Sequence, residues 1–251
     1  MILILKHFTE NPLIKPKIEY YTNHNEIDKV FEKIGMDNTI KSVEMESYCG
    51  ILGIDSLRIL SKSLTKNKSI KSLDLGHCEI GDDGIIELIS GLKHNESINE
   101  LRLSRNNIGL SGMRELSFFL KTNTSITSLY VPNNNICDES IQLLVDAIID
   151  NNTIRSIVLS NNKFGVVGAI ALSYLLLKNN YIRSMHLCHN LVTYAGVLAI
   201  HGALEKNTSL RCISYPDVFN NEEYFKLVHK KMYEKNKTLK FVNDYIRNDV
   251  L

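Results

Sequence analysis

A step of 28 residues, kept along most of the chain, is the feature that most constrains its fold. It is clearest in the stretch 97–123, SINELRLSRNNIGLSGMRELSFFLKTN, where Ile98 and Leu101 start a short strand pattern. An asparagine turn follows, and a helical pattern built on Leu116 and Leu120 ends the unit. The same order of features recurs on both sides. A chain that repeats one short strand–helix unit folds as a stack of similar units that share a continuous core.

Four sets of residues keep this step. The first strand position is occupied by Ile40, Ile70, Ile98, Ile126, Ile154, Ile182 and Leu210, with a first step of 30 residues and five steps of 28. The polar position after the strand is occupied by Cys78, Asn106, Asn134, Asn162 and Asn190. The helix opens at Gly84, Gly112, Ser140, Gly168 and Gly196, and its inward leucine position is occupied by Leu88, Leu116, Leu144, Leu172 and Ile200.

Each column suggests a physical role. The inward helical positions, four residues apart, predict an apolar stripe that faces the core. The column asparagines are expected to satisfy backbone groups of adjacent turns, and a weaker joint is expected at Cys78, which lacks an amide. The helix-opening glycines are expected to let the helix and strand backbones approach closely.

The pattern LxxLxLxxNxIxxxGxxxLxxxL resembles the leucine-rich repeat, specifically the ribonuclease-inhibitor-like class with 28 to 29 residues per repeat. The resemblance covers about residues 38–215 and recurs six times. It implies an α/β horseshoe, a right-handed βα solenoid with parallel strands on the concave face and helices on the convex face. Strands lie ~4.8 Å apart while packed helices need about 8–10 Å, so the helical side is the longer one and the array bends.

We expect one leucine-rich-repeat domain over residues 1–251, with six repeats over 38–207. Residues 1–37 match the repeat poorly and are interpreted as an N-terminal cap or a degenerate repeat, with a strand over 17–21 and a short helix over 26–34. Terminal units of repeat arrays are usually atypical, because they cover the first apolar layer. An adaptor segment for another partner is the alternative for this region.

Residues 208–251 depart from the pattern and are interpreted as a degenerate repeat and C-terminal cap. Tyr224, Val228 and Met232 occupy the helix columns, and a last strand is expected over 239–242. A separate C-terminal domain is the alternative, although the segment is short for an independent core.

Composition indicates an intracellular protein. The chain has 29 basic and 28 acidic residues, so no global charge favours nucleic acid. Its five cysteines form no CxxC pair, which is typical of free thiols in a reducing compartment. The apolar start MILILKHF has no cleavage site after it, and no apolar stretch is long enough to span a membrane. We expect a monomer in the cytoplasm, with a nuclear location left open, that binds neither nucleic acid nor membranes.

Six N-x-S/T sequons share the repeat spacing, at Asn67, Asn95, Asn123, Asn151, Asn207 and Asn236. Each asparagine ends a helix pattern and precedes a strand. The sequons are therefore interpreted as a by-product of the repeat, and we expect them to stay unmodified.

The candidate binding surface is the concave face, whose residues follow from the alternation of strand side chains. Its central column runs through Glu44, Asp74, Arg102, Tyr130, Val158, His186 and Ser214. An acidic zone of Glu44, Glu46, Asp74 and Glu100, bordered by Arg102 and Arg105, precedes an uncharged region. The predicted partner-binding residues are Glu44, Asp74, Glu100, Arg102, Arg105, Tyr130, Val158 and His186.

These residues predict a non-catalytic scaffold that binds a protein partner. An extended, rigid, concave surface suits such a partner. Arg102 and Tyr130 are the expected anchors, because arginine and tyrosine are enriched among interface hot spots. For any one of these residues, an ordinary solvated strand position is the simpler interpretation.

Motifs of catalysis and metal binding are missing from the sequence. It contains no GxSxG, GxxxxGK[ST] or HExxH, so we predict no enzymatic activity and no cofactor. His186, Cys188 and His189, with Cys212 on the next strand, raise the question of zinc. No neighbouring repeat contributes a matching pair, so we predict no metal there.

Two other functions stay open. The repeat length also resembles that of the Ran GTPase-activating proteins, which act through a loop arginine, and this resemblance implies a GTPase activator that uses Arg105. The chain could also be the recognition part of an assembly whose effector domain lies on another polypeptide. The GTPase activator is the principal alternative to the scaffold.

Overall fold

A computed structural model describes residues 2–7, 17–21, 26–46, 52–214 and 240–241 of the chain. The strands in these ranges are β1 Ile2–His7, β2 Lys17–Tyr21, β3 Ile40–Glu46, β4 Ser72–Asp74, β5 Glu100–Arg102, β6 Ser128–Tyr130, β7 Ser156–Val158, β8 Ser184–His186, β9 Cys212–Ser214 and β10 Lys240–Phe241. The helices are α1 Ile27–Ile34, α2 Ile54–Lys66, α3 Gly81–Leu92, α4 Leu110–Thr122, α5 Asp138–Ile148, α6 Val166–Lys178 and α7 Tyr194–Leu204.

These strands form a single open sheet in the order β10-β9-β8-β7-β6-β5-β4-β3-β1-β2. Strands β3 to β10 are parallel, and each unit adds its strand beside that of the unit before it. Pairing follows the repeat: Leu73 lies opposite Leu101, which in turn pairs with Leu129. The predicted α/β solenoid is confirmed.

The core lies between the sheet and the helices. In each of the short strands β4 to β8 the middle residue is buried and its two neighbours are half-buried, so one face of the sheet is covered and the other is open. The inward helical positions are fully buried, as predicted: Leu88, Leu116, Leu144, Leu172 and Ile200. The main helix contacts are with the preceding and following helices of the array.

The column asparagines connect neighbouring turns, as predicted. The Asn134 side-chain oxygen accepts hydrogen bonds from the backbone N–H groups of Asn106 and Ile108, both at 3.0 Å. Its amide nitrogen donates to the backbone oxygens of Leu103 at 2.9 Å and Val131 at 3.1 Å. Cys78 contributes a backbone N–H to Asn106 in the same way. The weaker joint expected at Cys78 stays a prediction.

A second asparagine ladder, unforeseen in the sequence, follows the helices. It consists of Asn67, Asn95, Asn123, Asn151, Asn179 and Asn207. The Asn95 amide nitrogen donates to the backbone oxygens of Leu64 at 2.7 Å and Asn67 at 2.9 Å, and its oxygen accepts from the backbone N–H groups of Ser97 and Ile98. A glycan would be attached to that buried nitrogen, so glycosylation of Asn95 and native packing exclude each other.

The helix-opening glycines bring helices together, which corrects the expected approach of helix and strand. A Cβ at Gly84 would lie 2.9 Å from Cδ1 of Leu57 on the preceding helix. At Gly168 the corresponding contact is 2.8 Å to a carboxylate oxygen of Asp138, the same oxygen that accepts the Gly168 backbone N–H. The space left by these glycines is therefore filled by the preceding repeat's helix and by the side chain four residues earlier in the same repeat, such as Ile80 or Phe164.

At the N-terminal end, β2 and α1 fall where a strand and a helix were predicted. Strand β1 was not predicted, and it pairs antiparallel with both β2 and β3. Leu5 on β1 lies opposite Val43, and neither side chain has any exposed surface. The parallel sheet therefore meets an antiparallel pair at this end.

At the other end, β10 pairs parallel with β9, so the predicted last strand is present at its two central residues. The predicted helix positions Tyr224, Val228 and Met232 lie outside the described residues. The division into caps and repeats stays a prediction. None of the helices described here has the length and apolarity needed to cross a membrane.

Candidate functional site

The strands place the predicted concave residues in one row across the sheet. Strand register aligns, in order, Glu44, Asp74, Arg102, Tyr130, Val158 and His186. All six are half-buried, and adjacent strands in a sheet lie ~4.8 Å apart. Glu100 lies in the neighbouring row, beside Ser72 and Ser128. We call the six aligned residues the central row.

Arg102, in the central row, is held by two neighbouring side chains. Its guanidinium carbon lies 4.2 Å from the centre of the Tyr130 ring, and its Nε donates to a Glu100 carboxylate oxygen at 2.6 Å. Burial lowers the pKa of Arg102, but the hydrogen bond and charge of Glu100, together with the charges of Tyr130 and Asp74, outweigh this and raise the pKa overall. The cation is therefore held between a carboxylate and an aromatic face before any partner arrives.

The predicted acidic zone also contains cations. Lys6 on β1 places its ammonium 2.6 Å from both carboxylate oxygens of Glu44, and Ser42 donates to one of them at 3.0 Å. With Lys6 on Glu44 and Arg102 on Glu100, two of the zone's carboxylates are paired. The zone is thus less acidic than predicted, because β1 supplies a lysine that the repeat pattern does not contain. The side chain of Glu46 lies outside the described residues.

Asp74 is the carboxylate of the central row that is not in an ion pair with any described residue. Its oxygen accepts the backbone N–H of Gly76 at 2.9 Å. Burial is the main reason that the pKa of Asp74 is raised, and the negative charges of Glu44 and Glu100 act in the same direction. The Gly76 hydrogen bond and the charge of Arg102 oppose this rise. Asp74 therefore has a raised pKa and no ion-pair partner among the described residues.

Arg105 lies outside the central row. It follows β5 in a turn, is exposed, and has a left-handed backbone with φ of 53°. Its backbone N–H donates to the Pro132 oxygen at 3.1 Å, which fixes the turn against the next repeat. Burial, and then the positive charge of Arg105, lower the pKa of His77, which occupies the same turn position one repeat earlier.

His186, the last residue of the central row, lies among side-chain hydroxyl groups. Its ring nitrogens lie 3.0 Å from the Ser184 oxygen and 3.1 Å from the Ser214 oxygen. The Cys212 sulfur is 4.0 Å from His186 Nε2, whereas the buried Cys188 thiol donates to Ser214 at 2.7 Å. Within the described ranges, no three histidine, cysteine or acidic side chains are grouped so that they could hold a metal ion.

A column of three arginines was not predicted from the repeat pattern. Arg155, Arg183 and Arg211 each precede a strand by one residue, in three consecutive repeats. The same step of 28 finds them when it is applied to that position, at which the two preceding repeats have Asn99 and Thr127 and the repeat before those has Lys71. These arginines border the open face of the sheet at the starts of β7, β8 and β9.

Three stretches of the chain match a family model described as "Leucine Rich repeat": residues 66–88, 94–117 and 150–173. Each match contains one of the short strands and the opening of the next helix, which is the unit seen in the fold. The chain is a leucine-rich repeat protein. Its placement in the ribonuclease-inhibitor-like class stays a prediction.

Two solved structures are similar to this leucine-rich repeat protein. One is titled "Leiomodin-1 Actin-Binding Site 2 (ABS2)", with 16% identity, coverage of 86% of this chain and 91% of that chain, and a TM-score of 0.35. The other is a tropomodulin C-terminal domain from Caenorhabditis elegans, with 16% identity, coverage of 73% and 93%, and a TM-score of 0.43. Similarity this low says nothing about function. No curated protein matches the chain.

Proposed function

We propose that this leucine-rich repeat protein is a non-catalytic scaffold that binds a protein partner through the central row. The contact of Arg102 with Tyr130 and Glu100 is the observation that carries the proposal. Tyrosine and arginine contribute disproportionately to protein interfaces. A side chain that is already fixed loses less conformational entropy on binding, so more of the contact energy remains as affinity.

The chemistry of the central row supports a partner with both polar and apolar groups. Arg102 still offers guanidinium N–H groups besides the one bound to Glu100, and Asp74 offers an unpaired carboxylate. Beyond Tyr130 the row continues with Val158 and then His186, which carry no fixed negative charge. A partner would therefore place a hydrogen-bond donor near Asp74 and an apolar group over Tyr130 and Val158. The proposal takes the protein to act as a monomer, in the cytoplasm or nucleus, without nucleic acid or membrane.

The proposal is tested by affinity capture with two matched double variants. Arg102→Ala with Tyr130→Ala removes the anchors, whereas Arg114→Ala with Phe118→Ala removes an arginine and an aromatic residue from exposed positions on α4, on the convex side. We expect a partner that is captured by the wild type and by the convex variant but lost from the anchor variant. Loss from the convex variant alone would place binding on the helices and refute the proposal.

The GTPase activator that would use Arg105 stays a separate prediction. A GTP hydrolysis assay with candidate GTPases distinguishes it from the scaffold. Stimulation by the wild type that disappears in Arg105→Ala would refute the non-catalytic proposal.

A further inference from the structure

Arg155, Arg183 and Arg211 hold their guanidinium groups in nearly the same pose. In each, Nη1 donates to the backbone oxygen three residues earlier, at 2.7 Å in Arg155, 2.8 Å in Arg183 and 2.8 Å in Arg211. A second, longer contact from Nη1 reaches the oxygen of the preceding residue, at 3.2, 3.4 and 3.5 Å. We call these three residues the arginine ladder.

The other edge of each guanidinium in the ladder is open. Both carbonyl contacts use Nη1, and Nε and Nη2 donate no hydrogen bond to a described residue. The guanidinium carbon of Arg155 also lies 5.3 Å from the centre of the Tyr181 ring, a contact that leaves the Nε/Nη2 edge without a hydrogen-bond partner among the described residues. These two groups point in parallel directions along one side of the planar guanidinium, and their spacing matches the two oxygens of a carboxylate. Each rung is therefore fixed by its own loop and still offers a bidentate binding edge.

The ladder also concentrates positive charge. None of the three arginines forms an ion pair in the part of the chain that the structure describes. The residues before β7, β8 and β9 are neighbours across the sheet, where adjacent strands lie ~4.8 Å apart and like charges side by side are destabilising. An anion that bridges the rungs would relieve this repulsion, so the ladder favours negatively charged ligands.

Length and charge indicate what kind of anion fits. Three rungs span about 10 Å, which is the length of about three residues of extended polypeptide. The chain as a whole has a net charge of only +1, and the corresponding position in the two preceding repeats is uncharged, at Asn99 and Thr127. Nucleic-acid-binding surfaces are usually longer basic tracks on strongly basic domains. A short acidic peptide segment suits the ladder better.

We propose that the arginine ladder binds an acidic segment of a partner protein, with its carboxylates on the Nε/Nη2 edges of Arg155, Arg183 and Arg211. The segment crosses the starts of β7, β8 and β9 at the border of the open sheet face. This site is independent of the central row, so either can fail without the other.

The test measures binding of a fluorescein-labelled deca-glutamate peptide by fluorescence anisotropy at low and physiological salt. The ladder variant is Arg155→Gln, Arg183→Gln and Arg211→Gln. Its control, Lys62→Gln, Lys93→Gln and Lys121→Gln, removes the same charge from the helical side of the molecule. We expect the ladder variant to raise the Kd at least tenfold and the control to raise it less than twofold, with weaker binding at higher salt. Equal losses in the two variants would show attraction by net charge and overturn the proposal.

Two further arms define the ligand and guard against misfolding. Replacing the three arginines by lysine keeps the charge but removes the bidentate edge, and we expect the Kd to rise about threefold to tenfold; wild-type affinity would overturn the assigned geometry. Unlabelled tripolyphosphate and a ten-nucleotide oligo-dT serve as competitors. Displacement of the peptide by either one at a lower concentration than unlabelled deca-glutamate would assign the ladder to phosphate groups instead. Circular dichroism melts verify folding, and the lysine variant decides the question if the glutamine variant unfolds.

Discussion

The Asp74 side chain is partly buried and lies near two acidic residues and one arginine. Burial has the largest effect on its pKa and raises it above the ordinary value of 3.8. A carboxyl group whose pKa is raised by folding stabilises the native state when protonated and opposes folding when ionised. Its favourable contribution is complete below pH 3.8 and is lost as the pH rises through the folded-state pKa. At neutral pH, Asp74 therefore costs stability.

We predict that Asp74→Asn raises the Tm at pH 7 by a few degrees, because asparagine keeps an oxygen for the Gly76 N–H without a charge. The gain should shrink as the pH falls through the folded-state pKa and vanish below 3.8. Thermal melts of both proteins from pH 7 to pH 3.5 measure this difference. Glu96→Gln removes one charge from an exposed loop and should change the Tm by no more than about 1 °C. A gain that persists unchanged at pH 3.5 would contradict the prediction.

Single side chains differ in how far the sequence revealed them. The step of 28 predicted that Arg102 and Tyr130 are adjacent, because residues one repeat apart lie side by side on neighbouring strands of a parallel sheet. The ion pair of Lys6 with Glu44 did not follow, because Lys6 belongs to an antiparallel strand outside the repeat. The pairing of Arg102 with Glu100 depends on side-chain rotamers, which periodicity does not specify.

At the scale of an element, the column asparagines connect one turn to the next. Asn134 accepts two backbone N–H groups of the preceding turn and donates to backbone oxygens on both sides. We predict that Asn134→Ala lowers the free energy of unfolding by about 2–4 kcal/mol, because it leaves several buried backbone groups without partners. Urea denaturation followed by circular dichroism measures the loss.

Asn152→Ala is the control for Asn134→Ala. Asn152 is exposed in the loop before β7, and no hydrogen bond of its side chain occurs with the described residues. Its replacement should change the free energy of unfolding by less than about 0.5 kcal/mol. Similar losses of unfolding free energy in the two variants would mean that the column asparagines contribute nothing specific to stability.

The strands and helices were largely predictable, because the recurring positions indicate both the period of the repeat and which side chains are buried. Strand positions such as Leu101 and helix positions such as Leu116 are buried where the step of 28 places them. The glycine contacts were misassigned, since a missing side chain does not reveal which neighbour fills the space. The second asparagine ladder, represented by Asn95, was not predicted, because five of its six asparagines also form sequons and were interpreted as such.

At the scale of the whole molecule, each repeat is stabilised by its contacts with the repeats on either side. The main contacts join consecutive helices and paired strands. A repeat array of this kind can lose order at one end while the remainder stays folded. At the N-terminal end the array is closed by β1, whose Leu5 is fully buried opposite Val43. Strand β2 pairs with the other side of β1 and is the edge strand of the sheet at this end, so without β1 and β2 the edge would be β3.

We predict that Leu5→Ala destabilises the N-terminal end by about 2–5 kcal/mol, the usual cost of truncating a buried leucine, and leaves the far end nearly unaffected. Hydrogen–deuterium exchange should speed up in 26–66 and stay close to the wild-type rate in 156–214. Leu129→Ala, at a fully buried position in the middle of the sheet, is the comparison, and it should speed exchange on both sides of β6. The same increase throughout the chain in Leu5→Ala would show that the array unfolds as one cooperative unit. Faster exchange confined to the N-terminal end would instead mean that β1 protects the first repeats. The strands that carry Arg102 and the arginine ladder would then keep their register without β1.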